Sequence, residues 1–190
     1  MTATSEVCKT LHMGKQAGFT LIELLISIVL LAILLALAVP AFQSFVKNNR
    51  VTAQTNGLVS AIQLARSEAL KRGTNSVICA SDNGATCTGN GTWASGWIVF
   101  SDFNADGSPA DVGSCQENED CILLVSGSLS GDNTLTADSD KIRFLPNGLT
   151  GPGAGTAELK LISYDCEKNQ ARRIFVTLNG HTIVTKVGCT

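Results

Sequence analysis

The feature that most constrains this chain is a long apolar run near its N-terminus, from Gly18 to Phe42. Between Leu24 and Phe42 only Ser27 and Pro40 depart from the composition of a membrane segment. An α-helix needs about twenty such residues to cross a hydrocarbon core of roughly 30 Å. The run therefore predicts a membrane-spanning helix, and whatever folds by itself must come after it.

One carboxylate interrupts this pattern, because Glu23 lies at the start of the apolar run. An acidic group inside a bilayer costs about 2.5–3.5 kcal/mol on insertion scales, so it usually indicates a function or a partner. Cleavage between Gly18 and Phe19 would create a positive amine at Phe19, four residues before the carboxylate. Two such helices side by side would then pair the amine of one with the carboxylate of the other.

Two other interpretations of the run stay open. A cleaved secretory signal has an apolar core of about 7–15 residues with its cut site after the core. This run is longer, and Gly18-Phe19 precedes it. An uncut single-pass anchor explains the length but leaves Glu23 unexplained.

The segment Lys15–Glu23, with the sequence KQAGFTLIE, resembles the class III signal of type IV pilins and type II secretion pseudopilins. The resemblance implies that a prepilin peptidase cuts after Gly18 and methylates the Phe19 amine. It further implies that Glu23 docks the subunit and that Pro40 bends the helix. The implied partners are other pilins or pseudopilins, the prepilin peptidase and an inner-membrane assembly platform.

Charges on both sides of the run bear on its orientation. Lys9 and Lys15 precede it and favour a cytoplasmic N-terminus, whereas Lys47 and Arg50 just beyond it weaken that preference. Together with the resemblance, this pattern predicts a single-pass protein of the bacterial inner membrane. Residues 1–18 are then a leader that is removed, and the C-terminal part lies in the periplasm before filament assembly.

The helix is predicted to continue past the membrane as one element, Phe19–Arg72, bent near Pro40. Its first part, 19–42, is the transmembrane or filament-core helix, and its second, 43–73, is amphipathic. Gly73 after a basic last turn predicts the stop. Apolar and small residues recur at steps of three and four along one face of the second part: Val51, Thr55, Leu58, Ile62, Ala65 and Ala69.

Residues 74–190 change to short apolar runs separated by turn residues, which predicts a β-rich globular domain. Asn179-Gly180 predicts a hairpin between the last two strands. The acidic stretch Ser101–Glu119 and the stretch Ser126–Asp140 are predicted surface loops. The predicted strands are Ser76–Ala80, Gly96–Ser101, Cys121–Val125, Lys141–Phe144, Glu158–Tyr164, Arg172–Leu178 and His181–Val187. The predicted core aromatics are Trp93, Trp97, Phe100, Phe144 and Phe175.

Four of these segments narrow the resemblance. They are similar to the GspH/FimT family of minor pseudopilins and minor pilins, and they comprise Leu64–Ala69, Gly96–Phe100, Asp102–Gly107 and Ile142–Phe144 with Gly148. This likeness implies an α+β, pilin-like fold, with a long N-terminal helix packed on a C-terminal antiparallel sheet. It implies a structural subunit at or near the tip of a type IV pilus or a type II secretion pseudopilus.

The chain has seven cysteines, and removal of the leader discards Cys8. An even set in an export-directed domain predicts disulfides, and six cysteines allow fifteen connectivities. We favour the pairs that are local in sequence: Cys79–Cys87, Cys115–Cys121 and Cys166–Cys189. No Cys-x-x-Cys occurs and His181 is the one histidine left, so a zinc or thiol-redox site is not expected.

Asp102, Asn104 and Asp106, followed by Gly107, reproduce the first half of a calcium loop. Gly113 stands where the bidentate glutamate of such a loop belongs. Asp111 is an alternative ligand, and Asx turns explain the same residues without a metal. We expect no cofactor, with calcium as the open alternative.

The basic C-terminal segment suggests a second function, DNA capture by a tip minor pilin, since Lys and Arg contacts to phosphates supply most nonspecific affinity. The candidate contacts are Lys168, Arg172, Arg173, His181 and Lys186. Some FimT-type pilins resembling this chain carry a Gly-Arg-x-Arg motif in the final hairpin. Here the matching residues are Gly180-His181-Thr182-Ile183, which lack both arginines.

The sequence offers no enzymatic constellation. Nucleophilic catalysis needs a base beside the nucleophile, and a phosphate site of the P-loop kind needs a glycine-rich loop that this sequence does not contain. We therefore expect a protein that is not an enzyme.

Overall fold

The computed structural model describes residues 18–89, 91–109, 115, 119–151, 157–164, 166 and 170–189. The predicted leader therefore lies outside the described residues, except for Gly18. The described chain forms one long helix followed by eight strands and a short 3-10 turn, Trp93–Ser95. These elements are α1 (Leu21–Arg72), β1 (Asn75–Ala80), β2 (Trp97–Asp102), β3 (Cys121–Ser126), β4 (Thr134–Ala137), β5 (Lys141–Phe144), β6 (Ala157–Ile162), β7 (Ala171–Val176) and β8 (Thr182–Val187).

The chain divides into two compact units, residues 1–43 and 44–190. In the first unit α1 is apolar on all sides and continues as helix through Pro40. In the second unit α1 ends at Arg72, where Gly73 has a φ of 66° and donates its N–H to the carbonyl oxygen of Ala69 at 3.0 Å. Glycine adopts this left-handed conformation at little cost, which is why it ends helices. The predicted stop is confirmed.

The strands form two antiparallel sheets of four strands each, with the orders β3-β2-β1-β5 and β4-β6-β7-β8. All seven predicted strands are present within two residues of their predicted ends. The prediction of a surface loop over Ser126–Asp140 was wrong, because it contains β4, whose Leu135 is buried. The prediction for Ser101–Glu119 was wrong at its start, since Ser101 and Asp102 extend β2 and are buried.

One hydrophobic core joins the C-terminal part of α1 to both sheets. The predicted helical face is confirmed, because all six of its residues are buried, with Ala61 in addition. Phe100 lies instead in a smaller cluster with Val77, Cys79 and Ile98. These alternate along β1 and β2 with residues of the main core, so both faces of this sheet are covered.

The aromatic predictions were correct for Trp93, Trp97, Phe100 and Phe144, which are all buried. Phe175 is only half-buried, contrary to the prediction. Its neighbours Ile174 and Val176 are the buried residues of β7. Because successive side chains of a strand point to opposite faces, Phe175 lies on the face away from the core.

The final hairpin is confirmed, but its loop is longer than the Asn179-Gly180 signal suggests. Three residues, Leu178–Gly180, separate Thr177 from His181, and the Thr177 N–H donates to the carbonyl oxygen of His181 at 2.9 Å. Gly180 has a φ of 71° and is packed so closely that a Cβ would clash with the Gly148 carbonyl and the Arg66 side chain. Arg66 itself donates to the Gly148 carbonyl at 3.1 Å, which ties α1 to this end of the sheet.

Candidate functional site

The first turn of α1 has an N-cap that the sequence analysis did not predict. Thr20 precedes the first helical residue, Leu21, and its Oγ1 accepts a hydrogen bond from the Glu23 N–H at 3.2 Å. Thr20 is thus the N-cap, and Thr-x-x-Glu is the sequence of a capping box. The carboxylate of Glu23 also lies in the first turn, where the helix dipole favours negative charge. Glu23 therefore helps to fix the start of α1, whatever else it does.

The surface around this start is apolar and exposed. Every residue from Gly18 to Val46 is exposed, Phe19 to 83%. The segment from Leu21 to Phe42 is helical and would be about 33 Å long at 1.5 Å per residue. By length and composition it is long enough to cross a membrane, with a mean hydropathy of 3.0 over its most apolar window. A surface of this kind requires either lipid or other apolar helices to cover it.

Glu23 is the one charged residue between Phe19 and Val46. Within the part of the chain that the structure describes, its carboxylate has neither a hydrogen bond nor an ion pair, while its backbone N–H and carbonyl groups bond Thr20 and Ser27. Burying such a carboxylate in lipid or among apolar helices would be costly without a positive partner. The Glu23 carboxylate therefore requires a cationic partner from outside the described chain.

The candidate DNA-contacting residues do not form one exposed basic patch. Arg172 is buried, and its Nη2 donates to Asn48 Oδ1 of α1 at 2.9 Å. The Nε of Arg173 pairs with Glu158 Oε1 at 2.8 Å. Lys186 and His181 are exposed, and Lys168 lies outside the described residues. DNA capture stays a prediction, and the residues it would use are largely engaged elsewhere.

The six cysteines from Cys79 onward all form disulfides: Cys79–Cys87, Cys115–Cys121 and Cys166–Cys189. These are the three sequence-local pairs favoured above. The last pair joins the end of the chain after β8 to the segment after β6, and so fixes an edge strand. Disulfides of this kind are typical of exported domains.

The calcium candidates lie in the turn after β2. Asp102 is buried, whereas Asn104 and Asp106 are exposed and bond each other and the turn backbone. Burial raises the pKa of Asp102, against the lowering effects of the Gly107 N–H and the Arg143 guanidinium. The alternative ligand Asp111 lies outside the described residues. A third acid, Asp120, joins Asp102 and Asp106, and sequence reasoning missed it.

Comparison with known proteins now decides the family. Residues 54–180, more than half of the chain, match the family described as "Type II transport protein GspH". The chain belongs to the GspH family. Residues 13–39 match the prokaryotic N-terminal methylation motif, which covers the leader end, the Gly18-Phe19 pair and Glu23. The resemblance to minor pilins and pseudopilins inferred from the sequence is confirmed.

A curated relative agrees with this assignment. The chain is similar to the type IV major alpha-pilin of Moraxella bovis, with 39% identity over 66 residues. The aligned stretch covers 35% of this chain and 41% of the length of that pilin.

The fold is similar to that of the type IV minor pilin FimU of Pseudomonas aeruginosa in two crystal forms. The first has a TM-score of 0.57 at 17% identity over 77% of this chain and 99% of that one. The second has a TM-score of 0.51 at 15% identity over 73% and 99%. At these identities the likeness shows the fold alone, and it confirms the predicted α+β architecture. The chain thus belongs by its family model to the minor pilins and pseudopilins, and members of this family associate with other pilins.

Proposed function

We propose that this chain is made as an inner-membrane precursor and cut between Gly18 and Phe19 by a prepilin peptidase. The new Phe19 amine is methylated, and an assembly platform in the inner membrane builds the subunit into a filament near its tip. The filament belongs to a type IV pilus or a type II secretion system, and the globular domain faces the periplasm before assembly. The subunit supports pilus biogenesis or protein secretion by its position and has no catalytic role.

The observation that carries this proposal is the lone carboxylate on the exposed apolar helix. Glu23 has no charged neighbour from Phe19 to Val46, and no ion pair within the described chain. Cleavage before Phe19 would create an amine one residue before the N-cap Thr20. A positive charge there opposes the helix dipole, so the amine also needs a negative partner.

Two subunits side by side satisfy both requirements. The carboxylate of Glu23 in one subunit would neutralise the amine of Phe19 in the next, in an environment with few competing waters. Breaking a buried pair by removing one partner costs about 3–5 kcal/mol, because the other charge remains buried without compensation. The pair would therefore set the axial register of a subunit among apolar helices that can otherwise slide.

The test replaces Glu23 by Val and, separately, by Gln, with Leu25→Val as the control on the same apolar helix. We expect all three proteins to be cleaved and membrane-bound, as read from the mass of the N-terminal peptide and from membrane fractionation. Incorporation into purified filaments should fall about tenfold or more for both Glu23 variants, as loss of a buried pair implies. The Leu25 variant should assemble normally.

Two results would contradict the proposal. One is efficient incorporation of Glu23→Val into filaments. The other is native protein that keeps residues 1–18 while the peptidase is present and active, since no amine would then be available. A deletion strain measured in parallel for exoprotein secretion, twitching and transformation would assign the subunit to one of the two systems.

A further inference from the structure

Three carboxylates meet at the end of the β2–β3 hairpin, in the globular unit. Asp102 is the last residue of β2, and Asp120 comes just before β3. Ser101 pairs with Cys121, so the two acids follow at the next position of the ladder. With Asp106 from the turn after β2, they bring one carboxylate oxygen each to within 4.8 Å of one another.

The backbone holds one oxygen of each carboxylate. In every case the Oδ1 atom accepts a hydrogen bond from an N–H group of the turn. These bonds run from Gly107 to Asp102 (3.2 Å), from Ser108 to Asp106 (2.7 Å) and from Phe103 to Asp120 (2.6 Å). The three side chains are therefore held in place. The second oxygen of Asp106 accepts a further hydrogen bond from the Nδ2 of Asn104 at 2.9 Å, whereas the second oxygens of Asp102 and Asp120 point to another partner.

Two of those second oxygens are buried and accept no hydrogen bond from any residue that the structure describes. Asp120 is only 5% exposed, and its Oδ2 is one of these two atoms. The Oδ2 of Asp102 is also buried and accepts no hydrogen bond from the described residues, although the Nε of Arg143 lies 3.4 Å away. Buried acceptors are nearly always satisfied in folded proteins, and charged ones are the costliest to leave unsatisfied.

Two cationic side chains of the described residues face this cluster, but neither forms an ion pair with Asp120. Arg143 from β5 lies against Asp102, and the Nζ of Lys141 donates to the Gly107 carbonyl at 3.2 Å. Like charges at neighbouring positions of a strand pair are destabilising. Asp102 and Asp120 are such a pair, so the local charge calls for a further cation between them.

We propose that Asp102, Asp106 and Asp120 bind a calcium ion. Carboxylate oxygens are the ligands that hard divalent cations prefer. Calcium takes them at about 2.3–2.6 Å, so oxygens on opposite sides of the ion lie roughly 5 Å apart, and the observed spread fits without movement of the backbone. Asp120 takes the role of the glutamate that the Asp102–Gly107 motif lacks, but it comes from the next strand and not from the twelfth position.

Magnesium is the less suitable ion, because it demands near-ideal octahedral geometry at about 2.0–2.1 Å. Arg143 competes with the ion for Asp102. We therefore expect an affinity like that of extracellular calcium modules, with a Kd on the order of 10⁻⁴–10⁻³ M.

The test uses the full-length protein in detergent after removal of metal with EDTA. CaCl₂ and MgCl₂ are titrated by calorimetry at constant ionic strength, and thermal unfolding is recorded with and without each salt. The variants are Asp120→Asn and Asp106→Asn, which keep the side-chain shape. Asp82→Asn is the control, since Asp82 is exposed and lies outside the cluster.

We expect calcium to bind in the stated range and to raise the Tm by several degrees at about 10 mM, well above the expected Kd. Both cluster variants should weaken calcium binding at least tenfold, whereas Asp82→Asn should leave it unchanged. Metal-free Asp120→Asn should be at least as stable as the wild-type protein, because the substitution removes a buried charge that has no ion pair among the described residues, and the amide oxygen can still accept the hydrogen bond from the Phe103 N–H. A purely structural role of Asp120 predicts the opposite.

Three outcomes would overturn the proposal: no heat and no Tm shift for wild-type protein in calcium, an equal response to magnesium, or unchanged binding by both variants. If Asp120→Asn fails to fold, Asp106→Asn still decides, since Asp106 is exposed.

Discussion

The two halves of α1 differ in whether their apolar side chains are buried within the described chain. From Leu21 to Gln43 the helix is apolar on all sides apart from Glu23, Ser27 and Gln43, and every residue is exposed. From Val51 to Ala69 one stripe of the helix is buried against the sheets of the same chain, while Phe45, Val46 and Leu70 of this half are exposed. The second half is a spine of the globular unit, whereas the first half finds no cover within the described chain.

The difference shows that apolar side chains of one helix can serve either folding or contacts with lipid and other subunits. In the second half, burial is satisfied by folding and contributes to the stability of the globular unit, at roughly 25 cal/mol per Å² of apolar surface. In the first half, the same kind of side chain can be buried only by lipid or by other subunits. Substitutions of one residue type should therefore affect folding in one half and leave it unchanged in the other.

Ile62→Ala against Ile33→Ala is the strongest test of this contrast. Ile62 is fully buried in the main core, and its truncation should lower the free energy of unfolding by about 2–5 kcal/mol. Ile33 is 54% exposed, and its truncation should leave the unfolding of the globular unit unchanged. Urea unfolding of detergent-solubilised protein, followed by the fluorescence of Trp93 and Trp97, measures both. Equal effects of the two substitutions would abolish the distinction between the halves.

The second test removes a crosslink that only the globular unit has. The double substitution Cys166→Ser and Cys189→Ser opens a disulfide with a sequence separation of 23 residues, and we expect a loss of about 3 kcal/mol. Cys8→Ser is the control, because that cysteine lies in the predicted leader. Membrane association should be the same in all three proteins by fractionation. An unfolding midpoint unaffected by the double substitution would show that β8 needs no such tether.

The sequence predicted those features that a local pattern determines. The buried stripe of α1 follows from spacing at three and four residues, and the stop follows from one glycine. Seven strands follow from apolar runs between turn residues. The disulfide pairs were chosen because they are local, and they are local in the structure too.

The features that the sequence did not reveal depend on contacts between distant segments. β4 is four residues long, and Leu135 is its one fully buried residue, so it becomes a strand only by pairing with β6. Arg172 is occupied by Asn48, which is 124 residues away. Asp120 joins Asp102 only through the register of β2 and β3. Neither spacing nor composition could indicate such pairs.

The third test has the smallest expected effect on the free energy of unfolding. It compares Glu68, which is ion-paired in the second half of α1, with Glu23 in the first half. Glu68 accepts a hydrogen bond from Arg72 at 2.8 Å and lies 3.5 Å from Lys71. The bond from Arg72 is the main reason that the pKa of Glu68 lies below its usual value. Glu68→Gln should therefore cost only about 0.3–0.5 kcal/mol at neutral pH, as for other pairs on a helix surface.

The pH dependence fixes the sign of this effect. A carboxyl group with a lowered pKa in the folded protein contributes stability above its ordinary pKa, and this contribution disappears as the pH falls through the lowered value. The difference between wild-type protein and Glu68→Gln in urea unfolding should accordingly vanish in acid. Glu68→Gln should still enter filaments normally, whereas Glu23→Gln should be excluded from them with its globular unit equally stable. If both substitutions impaired assembly alike, the carboxylate of Glu23 would be no more special than any other on α1.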